Sequence, residues 1–236
     1  MDFELGCDLI SSIEIVPEFE FARFEHCPRR KKKETLPLTR TGIAILVVVE
    51  RDDRWVVPKD WDCVVGGGHQ AYFNTQMRGR PAERYTTVRE FGAVGNGLSY
   101  ALGVAAARRQ GRDGKVVLFE GDGGLLFHIQ ELETLKRQGY RILICAMNDG
   151  GYGSEFHKLR ADGIDDSLAV FGRPAFENIA RGFGLRGHEI RDVSVIPKLF
   201  ADFTAQGESE IWNIQISDKV TAPVIRQTIK RGHGNM

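Results

Sequence analysis

What this chain is short of narrows it first. It has no charge excess: 32 Lys and Arg balance 32 Asp and Glu, so nothing in the balance argues for nucleic acid or a membrane surface as partner. Cysteine is sparse. Cys7, Cys27, Cys63 and Cys145 show no paired spacing, which fits reduced thiols of a cytoplasmic protein better than a disulfide framework or a zinc site. No apolar run is long enough for a bilayer: the longest aliphatic stretch, Ile43 to Val49, has seven residues, against roughly 20 for a spanning helix. The N-terminus is acidic and mixed, unlike a secretory leader. What remains is a chain of 236 residues, 42% apolar, able to bury one good core with at most an appendage.

The first stretch differs in character from the rest. Phe19, Phe21 and Phe24 are interleaved with Glu18, Glu20 and Arg23, and Pro28-Arg29-Arg30-Lys31-Lys32-Lys33 is a compact basic run, usually a solvated linker. Residues 1–54 are therefore expected as an atypical segment or linker remnant, 55–220 as one domain and 221–236 as a tail. Within 55–220 the elements alternate: a strand near Cys63, a helix over 97–110, strand 116–120, helix 126–138, strand 141–147, helix 174–183, strand 185–190, a helix from Ser194 and a last strand at 211–216. Pro174 and Ser194 suit helix starts. Such alternation predicts an α/β fold, a doubly wound and mainly parallel sheet with helices on both faces.

The chemistry-bearing residues sit at strand ends. Gly121-Asp122-Gly123-Gly124 follows the apolar run Val116 to Phe119, and Asn148-Asp149-Gly150-Gly151 follows the next one. A glycine loop after a buried strand suits phosphate, because its N–H groups can approach the anion closely. Asp122 changes that reading. A carboxylate beside a diphosphate is repulsive unless a hard divalent cation such as Mg²⁺ lies between them. From Asp122 to Asp149 is 27 residues, enough for a loop, a helix and one strand, the minimal parallel crossover. Leu125, Ile129, Leu132 and Leu135 recur at helical period and Gly139 closes the helix. Both acids are thus expected at the carboxyl ends of neighbouring parallel strands, where open α/β sheets bind ligands.

These loops resemble a family. An Asp in a Gly-Asp-Gly loop followed about 27 residues later by an Asn pair is the thiamine-diphosphate signature of acetolactate synthases, pyruvate decarboxylases and benzoylformate decarboxylases, with Asp149 here standing where the second Asn would be. The resemblance implies the thiamine-diphosphate-binding fold, with Mg²⁺ held by Asp122, Asp149 and the carbonyl of Gly151. Asp149 keeps an oxygen ligand but adds negative charge near an anion. Upstream, Gly92-Ala93-Val94-Gly95-Asn96-Gly97-Leu98 is similar to the loop that receives the aminopyrimidine ring, facing it with the Gly92 carbonyl and the Val94 N–H. Gly66-Gly67-Gly68-His69-Gln70 resembles the first diphosphate-contacting loop. By the resemblance, Gly68, His69, Gly121, Asp122, Gly123, Gly124, Asp149, Gly151 and Tyr152 contact the cofactor, over a likeness covering about residues 55 to 220.

Plain structural readings stand beside these. Taken singly, the loops read as tight turns or another nucleotide site, Asn148 and Asp149 as a turn after a strand, and His128 as a structural histidine in a helix beginning; those readings do not explain three loops in one order at one sheet edge. Glu155, six positions beyond Asp149, stands where the pyruvate decarboxylase type carries an acid over the thiazolium; acetolactate synthases generally lack one there. Partly buried beside a 2-oxo acid it would suit proton transfer, and as an exposed glutamate it would do nothing. The family's cofactor is activated by a glutamate on a separate pyrimidine domain, for which residues before 55 are too few. The expected protein is a cytoplasmic 2-oxo acid decarboxylase or carboligase part, working as a homo-oligomer or with a separate pyrimidine-domain chain. The alternative is a non-catalytic or truncated cofactor-binding module. A ferredoxin-linked oxidoreductase β chain is disfavoured, because Cys63 has no nearby partner cysteine for a cluster.

Overall fold

The computed structural model describes residues 57–76, 80–87, 90–108, 115–222, 224–227 and 229. The segment 1–54, with its basic run, lies outside the described residues. Among the described residues six strands form one sheet: β1 (Asp62–Val65), β2 (Tyr85–Thr87), β3 (Val116–Gly121), β4 (Leu143–Asn148), β5 (Arg186–Ile190) and β6 (Glu210–Gln215). Their order is β2-β1-β3-β4-β6-β5 and every pairing is parallel. The α/β fold with a doubly wound parallel sheet is the expected one.

Burial on both faces is why the central strands β3 and β4 read as near-continuous apolar runs, whereas the edge strands β2 and β5 are only partly buried and carry polar residues. Side chains point alternately to opposite faces. Cys63, Val65, Val117, Phe119, Cys145, Met147, Trp212 and Ile214 thus join one core with Phe203 and Ile196, while Val64, Val116, Leu118, Ile144, Ala146 and Ile211 join another with Leu98, Leu125, Leu132 and Phe176. The helices supplying these contacts are α1 (Gly97–Ala107), α2 (Asp122–Phe127), α3 (Glu131–Gln138), α4 (Gly153–Ala161), α5 (Phe176–Gly182) and α6 (Ile196–Ala205). None of the helices among the described residues is long and apolar enough to cross a membrane.

Several expectations need correcting. The single helix over 126–138 is two, and the first begins at Asp122. At the break His128 leaves helical geometry (φ −125°), its N–H reaching only back to Leu125, and its Nδ1 is hydrogen-bonded to Ser99 of α1. The Leu stripe survives the break, with Leu125, Leu132 and Leu135 fully buried, and Gly139 ends α3 in the left-handed conformation (φ 64°). Ser194 does not cap a helix: the side chain of Asp192 accepts its N–H at 2.9 Å, and α6 starts two residues later with proline in its first turn. Strand β2 and helix α4 had no signal in the sequence, β2 for its brevity and α4 because it opens in a glycine loop. Beyond residue 220, where a tail is expected, Ala222 and Ile225 are buried in the first core.

Strand order positions the site. From β1 the chain passes to β2 on one side, then returns to β3 on the other, so the sheet's direction of growth reverses between β1 and β3. Open α/β sheets leave a crevice at that place, outside the carboxyl ends of the strands.

Candidate functional site

Three loops leave the carboxyl ends of β1, β3 and β4 side by side, since Val65 pairs with Phe119 and Gly121 with Met147. Around them opens a cleft of about 210 Å³, open to solvent, lined by Gly67 to Gln70, Gly92 to Val94, Gly121 to Gly124, Asp149, and Gly151 to Glu155, among others. Every candidate site residue expected from the sequence lines it: Gly68, His69, Gly92, Val94, Gly121, Asp122, Gly123, Gly124, Asp149, Gly151, Tyr152 and Glu155.

Asp122 and Asp149 are both buried, at 1% and 9% exposure. Asp122 ties two loops together: Oδ1 accepts the N–H of Gly123 at 2.8 Å and Oδ2 that of Gly150 at 2.6 Å. Burial, and then the charge of Asp149, raise the Asp122 carboxyl well above its ordinary value. Asp149 is raised too, by burial, with the Arg173 guanidinium pulling the other way. Two carboxyls raised by burial, Asp122 also by the charge of Asp149, are relieved by a divalent cation, whose hard oxygen ligands they would be.

His69 adds a donor. Its Nε2 accepts the N–H of Ala222 at 2.9 Å, so the neutral ring must carry its proton on Nδ1. That Nδ1 has no hydrogen-bond partner among the described residues and lies 3.9 Å from Oδ2 of Asp149. Burial pushes His69 down to about 4, so the ring is neutral at ordinary pH and presents one buried N–H to an anionic oxygen. Behind it stands His157, its ring 4.7 Å away and its Nδ1 3.0 Å from the hydroxyl of Thr221. Buried polar atoms left without partners, a cation-seeking carboxyl pair and a glycine-lined cleft fit a metal–diphosphate group.

Glu155 lies in the first turn of α4 with its side chain 58% exposed and 3.3 Å from Lys158. The burial that would adapt it to proton transfer is not supplied by the described residues. Gly92 and Val94 lie open at the cleft's other side, beside Phe91, which holds a positive φ of 55° and is fully exposed.

Other contributors escaped sequence reasoning. Residues 169–172 strap the Asp149 loop: Gly151 bridges Val170, the N–H groups of Phe171 and Gly172 reach the Gly150 carbonyl at 3.0 and 3.1 Å, and Phe171 packs edge-on against Tyr152. Arg173 donates to the carbonyls of Asn148 and Ile216, closing the carboxyl ends of β4 and β6. Gln70 holds the first loop by donating from Nε2 to the carbonyls of Gly66 and Gly67 at 3.2 and 2.9 Å. Glu120, directly before the Gly121 loop, is completely buried, and burial pushes its carboxyl up to about 8. The one signal for Glu120 is a charged residue next to the end of an otherwise apolar strand.

Residues 66–210 match the family described as thiamine pyrophosphate enzyme, C-terminal TPP binding domain. The chain is similar to the acetolactate synthase isozyme 2 large subunit of Escherichia coli, 27% identical over 174 residues that cover 70% of this chain and 30% of that protein. It is also similar to a probable acetolactate synthase of Mycobacterium bovis, 38% identical over 135 residues covering 56% of this chain and 24% of that protein. In fold it is similar to benzoylformate decarboxylase from Polynucleobacter necessarius, with a TM-score of 0.67 at 14% identity, over 82% of this chain and 36% of that one. The chain thus spans 24% to 36% of the length of these proteins.

Proposed function

We propose, for a chain that belongs to the thiamine pyrophosphate enzymes through their C-terminal TPP binding domain, that it binds thiamine diphosphate with Mg²⁺ and serves a 2-oxo acid decarboxylase or carboligase of the acetolactate synthase type. The observation that carries the reading is the pair Asp122 and Asp149, buried in one cleft at the ends of adjacent parallel strands. Asp122, Asp149 and the Gly151 carbonyl would hold Mg²⁺. Gly68, His69, Gly121, Gly123, Gly124 and Tyr152 would cradle the diphosphate, with the His69 Nδ1–H as a donor, and Gly92 and Val94 would receive the aminopyrimidine. Bound thiamine diphosphate supplies the carbon nucleophile and electron sink that this chemistry needs; the protein orients it and excludes water.

Domain limits, partner and compartment belong to the same proposal: a cofactor domain over about 55–220, a pyrimidine-binding part in a second copy or a separate chain, and a cytoplasmic setting. An exposed apolar rim supports the partner. Phe91, Val94, Phe127, Tyr152 and Phe171 all lie exposed, with the last three rings in a row at 6.4 and 5.2 Å. Covering that rim would also bury Glu155, the proposed proton-transfer acid. A second reading, a cofactor-binding module without turnover, is favoured by the exposure of Glu155 and by Asp149 in place of Asn.

Calorimetric titration of thiamine diphosphate with Mg²⁺ or with EDTA tests the reading. Binding is expected only with the metal; Asp122→Ala abolishes it, and Asp149→Asn, which restores the usual ligand, leaves it intact. Binding indifferent to metal and to Asp122 would sink the assignment.

A further inference from the structure

Glu120 is the penultimate residue of β3, and strand alternation aims it at the face covered by α1, beneath the cleft rather than into it. It does not line the cleft, and neither do Gly66 and Gly97. Its Oε1 accepts the Gly121 N–H at 3.1 Å and lies 3.4 Å from Nε2 of Gln70, the Gly97 N–H is close enough to stabilise the same carboxylate, and Oε2 has no hydrogen-bond partner among the described residues. Each of three loops places one glycine against this carboxyl. A Cβ added at Gly66, at Gly97 or at Gly124 would overlap its atoms.

None of these three glycines has a positive φ, so their backbone conformations are open to any residue. Space, not conformation, is what demands glycine there, and the space is taken by Glu120. The ordinary explanation of such glycines, close approach of backbone to phosphate, does not apply to Gly66 and Gly97.

We propose that Glu120 is a positioning residue whose buried carboxyl sets the spacing of the three cofactor loops, and that Gly66, Gly97 and Gly124 are glycine to make room for it. Its link to cofactor affinity rests on the function proposed above; its steric half does not.

The test is a mutant cycle on the full chain, with thermal midpoint and thiamine diphosphate·Mg²⁺ affinity both measured. Gly66→Ala and Gly97→Ala are introduced into the wild type and into the Glu120→Ala background, or into Glu120→Asp should the alanine variant not fold. Each alanine is expected to lower the midpoint strongly in the wild type and much less in the shortened background. Glu120→Ala should weaken cofactor affinity by about 10-fold or more, because N–H groups of the loops lose their acceptor. Glu120→Gln, which keeps shape and an acceptor oxygen, should restore affinity to within about 3-fold, a rescue that bulk destabilisation would not give. Equal midpoint losses in both backgrounds, or unchanged affinity in Glu120→Ala, would overturn the proposal. Should the wild type bind no thiamine diphosphate, the proposed function fails while the midpoint cycle still decides the steric claim.

Discussion

Buried titratable groups give the site a pH signature whose sign can be worked out. Glu120, Asp122 and Asp149 are raised in the folded chain, so between their ordinary values and their raised ones the fold binds protons that the unfolded chain has released. Stability then falls as pH rises. His69 and His157, lowered from 6.5 to about 4, act oppositely, since between those values the unfolded chain holds the extra protons and stability rises with pH. Above about pH 6.5 the histidines are silent and the carboxyls act alone. The Tm of EDTA-treated protein is expected to fall between pH 6.5 and 8, and saturating Mg²⁺ with thiamine diphosphate to flatten that fall by holding Asp122 and Asp149 ionised. A flat metal-free profile would contradict the raised carboxyls. Glu155 makes a separate prediction: in the enzyme complete with its pyrimidine-binding part, Glu155→Gln lowers kcat by about 10²–10⁴-fold and leaves cofactor affinity unchanged. If kcat survives, Glu155 is the surface residue its pairing with Lys158 suggests.

Helices here hold by their buried stripes more than by their own length. Helix α3 spans eight residues, too short to persist alone in water, and is anchored through Leu132 and Leu135, both at 0% exposure. Leu132→Ala should cost about 2–5 kcal/mol in chemical denaturation. The turn leading to α6 is held by Asp192, so Asp192→Ala should cost about 0.5–2 kcal/mol while leaving cofactor affinity alone, because edge strand β5 lies three places from β3. A loss of binding in that variant would show the far edge coupled to the cleft. Much of this layer was legible locally: the period of the Leu stripe, the stop at Gly139 and the fully apolar strands β3 and β4 follow from spacing and residue type. The helix break at His128 and the strand at Tyr85 were not, since each depends on a neighbour from another part of the chain, Ser99 in one case and β1 in the other.

Taken together, the fold presents a cofactor cleft rimmed by exposed aromatic rings. Apolar area of that kind, contiguous with a site, is what the proposed pyrimidine-binding partner would cover. Purified alone, the chain is expected to turn over no 2-oxo acid, and in sedimentation velocity to self-associate or to pair with a pyrimidine-domain chain. Phe171→Asp should weaken that association, because a charge would replace an apolar contact. Robust turnover by a monomer would show the partner to be unnecessary.

Spacing within the sequence was enough to bring Asp122 and Asp149 together, because a strand–helix–strand crossover is nearly a local object: 27 residues admit one parallel return, and its chemistry must emerge at the strand ends. The glycine loops likewise declared themselves by composition. What only the tertiary structure decided lies between residues far apart in the chain. Glu120 meets Gln70 across 50 positions, and Ala222 fixes the tautomer of His69 across 153. Nothing in the neighbourhood of a glutamate at a strand end says that three loops will close over it. That outcome depends on the order of the strands in the sheet, which periodicity does not encode and which packing on both faces selects.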